Sequence, residues 1–190
     1  MAQEIEREWK NLLTKEEFIV LHQTLPFPKN GQSQINYYFE TNDFQLKQHA
    51  SALRIREKNG TYQLTLKQPH PEGILETHDA LTKKEAMCWM DGHIIPKPAI
   101  ANELNKMNIP IDSLIYYGKL TTVRYEYKEE DLIFVLDHST YNRHEDYELE
   151  IEASYHEIGM KTFEQILTRY NITKKQTPNK IMRFFKTLTF

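Results

Sequence analysis

At 190 residues with a 39% apolar share, the chain has the size and composition of one globular unit with a real core, expected as a single domain over 1–190. Its formal charge of −3 excludes a general basic field for nucleic acid or anionic membrane, so any anion site must be a local gathering of Lys and Arg. Cys88 is the one cysteine, which excludes an internal disulfide and a cysteine-built zinc site. The start, Met1-Ala2-Gln3-Glu4, is charged within four residues and no apolar run is long enough for a bilayer, so a cytoplasmic address is expected. Single alternation of polar and apolar residues predicts a first strand over Glu4 to Lys10. A helix follows from Thr14 to His22, where Thr14 and Glu17 are spaced as a capping box. After the break at Pro26 to Gly31 come strands at Gln34 to Thr41, Ala52 to Lys58 and Thr61 to Gln68, the last two joined by the hairpin signal Asn59-Gly60. A strand over Ile74 to Ala80 leads to Thr82, which caps a helix through Met87 and Trp89, and a further helix runs from Lys97 to Met107. Strand patterns return at Leu120 to Lys128, Asp131 to Asp137 and Tyr147 to Ala153, with helices over Tyr155 to Tyr170 and Pro178 to Phe185.

Residues two apart in a strand point to the same side. On that rule Glu4, Glu6, Glu8 and Lys10 share a side, against Ile5 and Trp9. Arg54 and Arg56 lie opposite Leu53 and Ile55, and Gln63, Thr65 and Lys67 lie opposite Tyr62, Leu64 and Leu66. Arg124 and Glu126 oppose Val123, Tyr125 and Tyr127, while Glu148, Glu150 and Glu152 oppose Tyr147, Leu149 and Ile151. A solvated sheet face produces such alternation in many antiparallel proteins. The clustering of sign argues for a second reading, because like charges side by side on a sheet repel and a merely soluble surface intersperses its signs. A sheet curled with its polar face inward gives the acidic rows a hard-oxygen site for Mg2+ or Mn2+ and sets the basic rows around an anion. The outward apolar face then needs helices to cover it. The expected fold is α+β, an antiparallel barrel of about eight strands enclosing a tunnel for a small ligand, with helices packed outside.

The opening Glu6-Arg7-Glu8-Trp9-Lys10 has the form ExExK. Leu53-Arg54-Ile55-Arg56 then supplies an RxR strand, Thr65-Leu66-Lys67 a lysine in the next strand, and Glu76 follows. Arg124, Asp137, the acidic strand Glu148-Leu149-Glu150-Ile151-Glu152 and Lys180 within Asn179-Lys180-Ile181-Met182-Arg183 complete the order. In this order the chain resembles the CYTH superfamily, the triphosphate tunnel metalloenzymes, and within it the small bacterial stand-alone members of the adenylate cyclase or triphosphatase type. The frame Glu4-Ile5-Glu6-Arg7-Glu8 would put Glu8 in the lysine's place, so Glu6, Glu8 and Lys10 are the preferred motif.

The resemblance implies metal-dependent hydrolysis of a small-molecule triphosphate, with inorganic tripolyphosphate foremost and thiamine triphosphate or cyclisation of ATP as alternatives. Glu6, Glu8 and Lys10 would form the catalytic motif. Lys10, Arg54, Arg56, Lys67, Arg124 and Lys180 would grip phosphate oxygens, with Arg183 either a further contact or a surface residue of the last helix. Mg2+ or Mn2+ would be held by Glu6 and Glu8 with two of Glu148, Glu150 and Glu152, the family pattern favouring Glu150 and Glu152. Glu76 and Asp137 would be either metal ligands or partners that orient the cations. No histidine lies at helical ligand spacing from His138 or His144, so both read as loop or surface groups. Tyr37, Tyr38 and Phe39 read as wall residues. A polyanion-binding module without turnover is the reading from another class.

Overall fold

The structure, a computed structural model, describes residues 3–188. In chain order its elements are β1 (Gln3–Glu6), β2 (Glu8–Leu13), α1 (Lys15–Thr24), β3 (Gln32–Thr41), α2 (Gln45–Gln48), β4 (Ala52–Lys58), β5 (Thr61–His70) and β6 (Gly73–Leu81). Then come α3 (Lys83–Met90), α4 (Pro98–Lys106), β7 (Leu114–Glu129), β8 (Leu132–Tyr141), β9 (His144–Ala153), α5 (His156–Arg169) and α6 (Lys180–Lys186). The expected class, antiparallel strands with helices on the apolar side, is what forms. Nine strands are present among the described residues where about eight were expected, because the first predicted strand divides at Arg7. Its first part neighbours β6 and its second pairs with β9.

The chain divides into two compact units, residues 1–5 with 34–120 and residues 6–33 with 121–190. In the first the strand order is β1-β6-β5-β4-β3, continuing into the early part of β7. Asn59 and Gly60 make the β4–β5 turn with φ of 51° and 75°, the left-handed pair that a two-residue hairpin needs. The register sets Tyr38 and Asn36 across from Arg54 and Arg56, these across from Thr65 and Gln63, and Lys67 and Thr65 across from Glu76 and His78. All of these therefore share one face. On the other face Phe39, Leu53, Ile55, Leu64 and Leu66 meet Ala86 and Trp89 of α3 and Ile100 and Leu104 of α4 in one buried cluster. Thr82 and Glu85 close a reciprocal capping box at the start of α3. Asp79 Oδ2 accepts from Ile100 N at 2.8 Å and so satisfies a free donor in the first turn of α4.

The second unit runs from the later part of β7 through β8 and β9 to β2. Its apolar face carries Leu136, Phe134, Leu149 and Ile151, buried under Phe18 and Leu21 of α1 and Phe163, Ile166 and Leu167 of α5. Thr14 caps α1 with Glu17, as the spacing predicts. Helix α5 comes so close to β2 that a Cβ on Gly159 would lie 2.0 Å from Trp9 Cζ3. Only glycine permits that approach. No helix among the described residues is long and apolar enough to cross a membrane.

Candidate active site

Glu148, Glu150 and Glu152 alternate onto one face of β9, and the register aligns charged residues beside them. Asp137 of β8 stands opposite Glu148, Lys10 of β2 opposite Glu150, Glu8 opposite Glu152, and Arg124 of β7 opposite Asp137. Helix α6 adds Lys180 at its first position. The segment before that helix is pinned by the fully buried Asn11 of β2, whose Oδ1 accepts from Lys175 N at 2.6 Å and whose Nδ2 donates to Thr173 O at 3.1 Å. Leu12 N donates to Thr177 Oγ1 at 3.0 Å. A neutral amide in β2 thus fixes where a lysine more than 160 residues later enters the acidic cluster.

The Lys180 ammonium lies 2.5 Å from Glu150 Oε1, 3.0 Å from Asp137 Oδ2 and 3.3 Å from Glu148 Oε1. Arg124 forks onto Asp137, with Nε to Oδ1 at 2.9 Å and Nη2 to Oδ2 at 2.7 Å, and Nη2 also donates to Glu150 Oε2 at 2.7 Å. Its Nη1 is 4.0 Å from Glu152 Oε1. Lys10 Nζ donates to Glu8 Oε1 and, at 2.5 Å, to Asn179 Oδ1. Glu6 ends β1 and is half-buried.

Arg183 is 8% exposed, which corrects its reading as a surface residue. Its guanidinium donates to Asp146 Oδ2 at 2.9 Å, to Glu148 Oε2 and to Pro178 O at 2.6 Å, so it aims a carboxylate of the acidic row. Of the two histidines read as loop or surface groups, His144 is an exposed residue at the start of β9 and His138 is half-buried within β8. His138 stacks on Tyr147 and meets Glu145 Oε2 at 2.9 Å.

Burial pulls each of these carboxyl groups toward the neutral form, and neighbouring charge decides the outcome. For Glu150 burial is outweighed by Lys180 and Arg124, which hold it well below the usual carboxylate range. For Asp137 burial is likewise outweighed by Arg124 and Lys180. Glu148 goes the other way: burial, aided by the adjacent Glu150, pushes it up to about 7 against Lys180 and Arg183. Burial works against the charge of Lys180, but the carboxylates around it raise its pKa well above normal. Glu148 Oε1 is buried within ion-pair distance of Lys180 yet outside hydrogen-bond geometry with any donor among the described residues. A buried carboxylate oxygen with an open lone pair, beside a second ionised carboxylate, is the donor set that a hard divalent ion takes. Glu8, Glu148, Glu150 and Glu152 are the residues here that fit such an ion.

The first unit carries the basic rows. Lys67 Nζ lies 2.5 Å from Glu76 Oε1 and Arg54 Nη2 4.0 Å from the same atom. Arg56 Nε donates to Asn36 Oδ1 at 3.0 Å. Arg54 Nε and Asn36 Nδ2 are buried with no acceptor among the described residues. His78 and Glu4, neither of them a predicted site residue, meet this cluster: His78 Nε2 is 3.3 Å from Glu76 Oε2 and 3.1 Å from Glu4 Oε1. Two residues after Glu76 on one strand, His78 shares that face by the period-two rule, as Asp146 does by its spacing from Glu148; that signal was present in the sequence and neither residue was read from it. Tyr37, Tyr38 and Phe39 are buried wall residues, as expected.

The profile of the CYTH domain family matches residues 4–185. YjbK of Bacillus subtilis (strain 168), provisionally named a triphosphatase, is 43% identical over 187 residues, which cover 98% of this chain and 97% of that one. A crystal structure from Bacillus halodurans, provisionally an adenylate cyclase, superposes with a TM-score of 0.93 at 45% identity, covering 97% of this chain and 100% of that one. HpAC1 of Hippeastrum, a provisional adenylyl cyclase reported with a dominant triphosphatase activity, shares the fold with a TM-score of 0.77 at 23% identity, covering 100% and 98% of the two chains. With a profile match over nearly its whole length and relatives above 40% identity along all but the ends, the chain belongs to the CYTH domain family.

Proposed function

We propose that the chain hydrolyses the phosphoanhydride bond of a small-molecule triphosphate, inorganic tripolyphosphate foremost, with Mg2+ or Mn2+. The observation that carries this reading is the buried Nε of Arg54, without an acceptor among the described residues, on a side chain that converges with Lys67 on Glu76 Oε1. A buried donor left unpaired costs about 1–3 kcal/mol, and a phosphate oxygen matches both the fork of arginine and the point charge of lysine. Arg54, Arg56 and Lys67 are assigned to phosphate oxygens, as are Lys10, Arg124 and Lys180. The metal ligands are Glu6, Glu8 and the acidic row of Glu148, Glu150 and Glu152. When bound there, the ion supplies charge neutralisation at phosphate oxygens and a water of lowered pKa. Asp137 fixes the Arg124 guanidinium, Glu76 holds Lys67, and Arg183 aims Glu148 instead of meeting phosphate. Phosphoryl transfer asks for positioning and charge more than for a protein nucleophile, and these side chains provide both. The relatives' provisional names support the same class. The chain is taken to act as one domain, in the cytoplasm.

The test is phosphate release from tripolyphosphate with magnesium or manganese, compared with a Glu6→Gln/Glu8→Gln variant. A loss of at least about 100-fold is expected, the scale of removing one transition-state contact. No release by the unaltered protein above that variant ends the reading. The Bacillus halodurans relative's provisional name favours a second reading, ATP cyclised to cyclic AMP. Running tripolyphosphate, thiamine triphosphate and ATP side by side, with product identification, separates the two. A non-catalytic binding module would instead bind polyphosphate without turnover, and would still do so after Glu150→Gln.

A further inference from the structure

We propose that Glu4, Glu76 and His78 form a second metal site, for a divalent transition ion, apart from the acidic row of β9. Among the described residues these three bring ligand atoms within 4.8 Å of one another. His78 Nε2 is 3.1 Å from Glu4 Oε1 and 3.3 Å from Glu76 Oε2. Bonds of about 2.0–2.2 Å at angles of about 90–109° put neighbouring ligand atoms about 2.8–3.6 Å apart, a range that contains both separations from His78.

The far side of the imidazole is already fixed. Thr65 Oγ1 lies 3.1 Å from His78 Nδ1, and Thr65 is itself 1% exposed. Metal-bound histidines are oriented by a hydrogen bond of this kind on the other ring nitrogen. If Nδ1 carries the proton and donates to Thr65, the Nε2 lone pair faces two carboxylates. That is a repulsive arrangement unless a positive charge sits between them. Glu76 is oriented by Lys67, whose Nζ lies 2.5 Å from Oε1, while Oε2 faces His78 Nε2. An imidazole in the set favours ions of the manganese-to-zinc series over magnesium, which prefers oxygen. A bound ion would add positive charge next to Lys67 and Arg54. Its binding does not depend on the triphosphatase reading, and the test below contains no substrate.

The metal-free full chain is titrated with Zn2+ at pH 8, and the imidazole nitrogens of His78 are followed by nitrogen-15 NMR alongside calorimetry. The expected result is a shift of Nε2 complete at about one equivalent for this site. Outer-shell partners of a metal are worth about 10–100-fold in affinity, so Thr65→Val should weaken this event by that factor and Glu4→Gln by at least as much. Glu4 is exposed, so its substitution leaves the core intact. Unmoved His78 nitrogens in excess Zn2+ would show that a proton alone occupies the gap and would overturn the proposal. So would unchanged affinity in Glu4→Gln.

Discussion

Lys180→Met removes the one cation among the described residues that touches all three of Asp137, Glu148 and Glu150, at 3.0, 3.3 and 2.5 Å. A cation in the first turn of a helix opposes the helix dipole by about 0.3–1 kcal/mol, so its loss brings a small relief. Against that, breaking a buried ion pair from one side costs about 3–5 kcal/mol because the remaining charge is stranded. Arg124 stays on Asp137 and Glu150, and Arg183 stays on Glu148. The net cost should therefore fall near the low end, about 3 kcal/mol at pH 8. It should shrink at pH 6. Glu148 is already pushed up to about 7, chiefly by burial, and Lys180 is among the charges holding it down. A carboxyl whose folded pKa lies above its unfolded value favours the fold below the unfolded pKa and loses that contribution as pH rises through the folded one. Without Lys180 the upward displacement grows, so the gap between parent and variant widens from pH 5 to pH 8. Urea unfolding in chelator at pH 6 and pH 8 measures it. A loss below about 1 kcal/mol at pH 8, or equal losses at both pH values, would refute the claim that these charges act as one unit.

Gly159→Ala would set a Cβ 2.0 Å from Trp9 Cζ3 and 2.6 Å from Cη2, against a rigid ring. Overpacking of this kind costs about 1–3 kcal/mol, to be read as a lower urea midpoint, and pairing it with Trp9→Leu should recover part of the loss. Additive effects of the two would mean that helix and ring do not meet. Glu85 is held down at about 2, first by Lys97 and then by the Thr82 backbone and hydroxyl. A lowered carboxylate contributes above its unfolded pKa and ceases to as pH falls through the folded one, so melting curves of the parent and Glu85→Gln should converge between about pH 5 and pH 2. Parallel curves across that range would contradict the cap as described.

Local signals in the sequence carried much of this fold. The capping pairs Thr14 with Glu17 and Thr82 with Glu85, and the Asn59-Gly60 hairpin, involve neighbours only, so spacing alone locates them. The polar faces were legible for the same reason, since period two is a property of one strand. Long-range pairing was not. Arg7, a charged residue in the position that Ile5 and Trp9 hold, is a single break in the alternation at the point where the strand exchanges β6 for β9, and one residue does not tell which partner each part will find. The β8–β9 hairpin turns on Asn142 and Arg143 at φ of 46° and 64°, and arginine is no turn signal, so both strands read short. Strand β7 begins at Leu114, six residues before its predicted start, because Tyr116-Tyr117-Gly118 interrupts the alternation. The four-residue α2 has no period to read; Glu40 holds it by accepting from Leu46 N and Lys47 N at 3.0 and 2.9 Å. Arg183 looked like a surface residue because its partners Asp146 and Glu148 lie 37 and 35 positions away.

The internal ion pairs of the second unit bear on how a metal and an anion would bind there. Arg124 and Lys180, both assigned to phosphate, are already engaged by Asp137 and Glu150. A divalent ion arriving alone would enter a cluster that already holds its own cations. A polyanion arriving alone would draw those cations away and strand the carboxylates, at the several kcal/mol that an unpaired buried charge costs. Arriving together, the ion takes the carboxylates and the phosphates take the guanidinium and ammonium, so each internal pair is exchanged for an external one and no buried charge is left bare. Since coupling between two ligands is reciprocal, the factor by which the ion strengthens anion binding must equal the factor by which the anion strengthens ion binding. On the proposed function, the resting network of Arg124 and Lys180 would therefore itself be a reason for the site to favour the metal–triphosphate complex over either component.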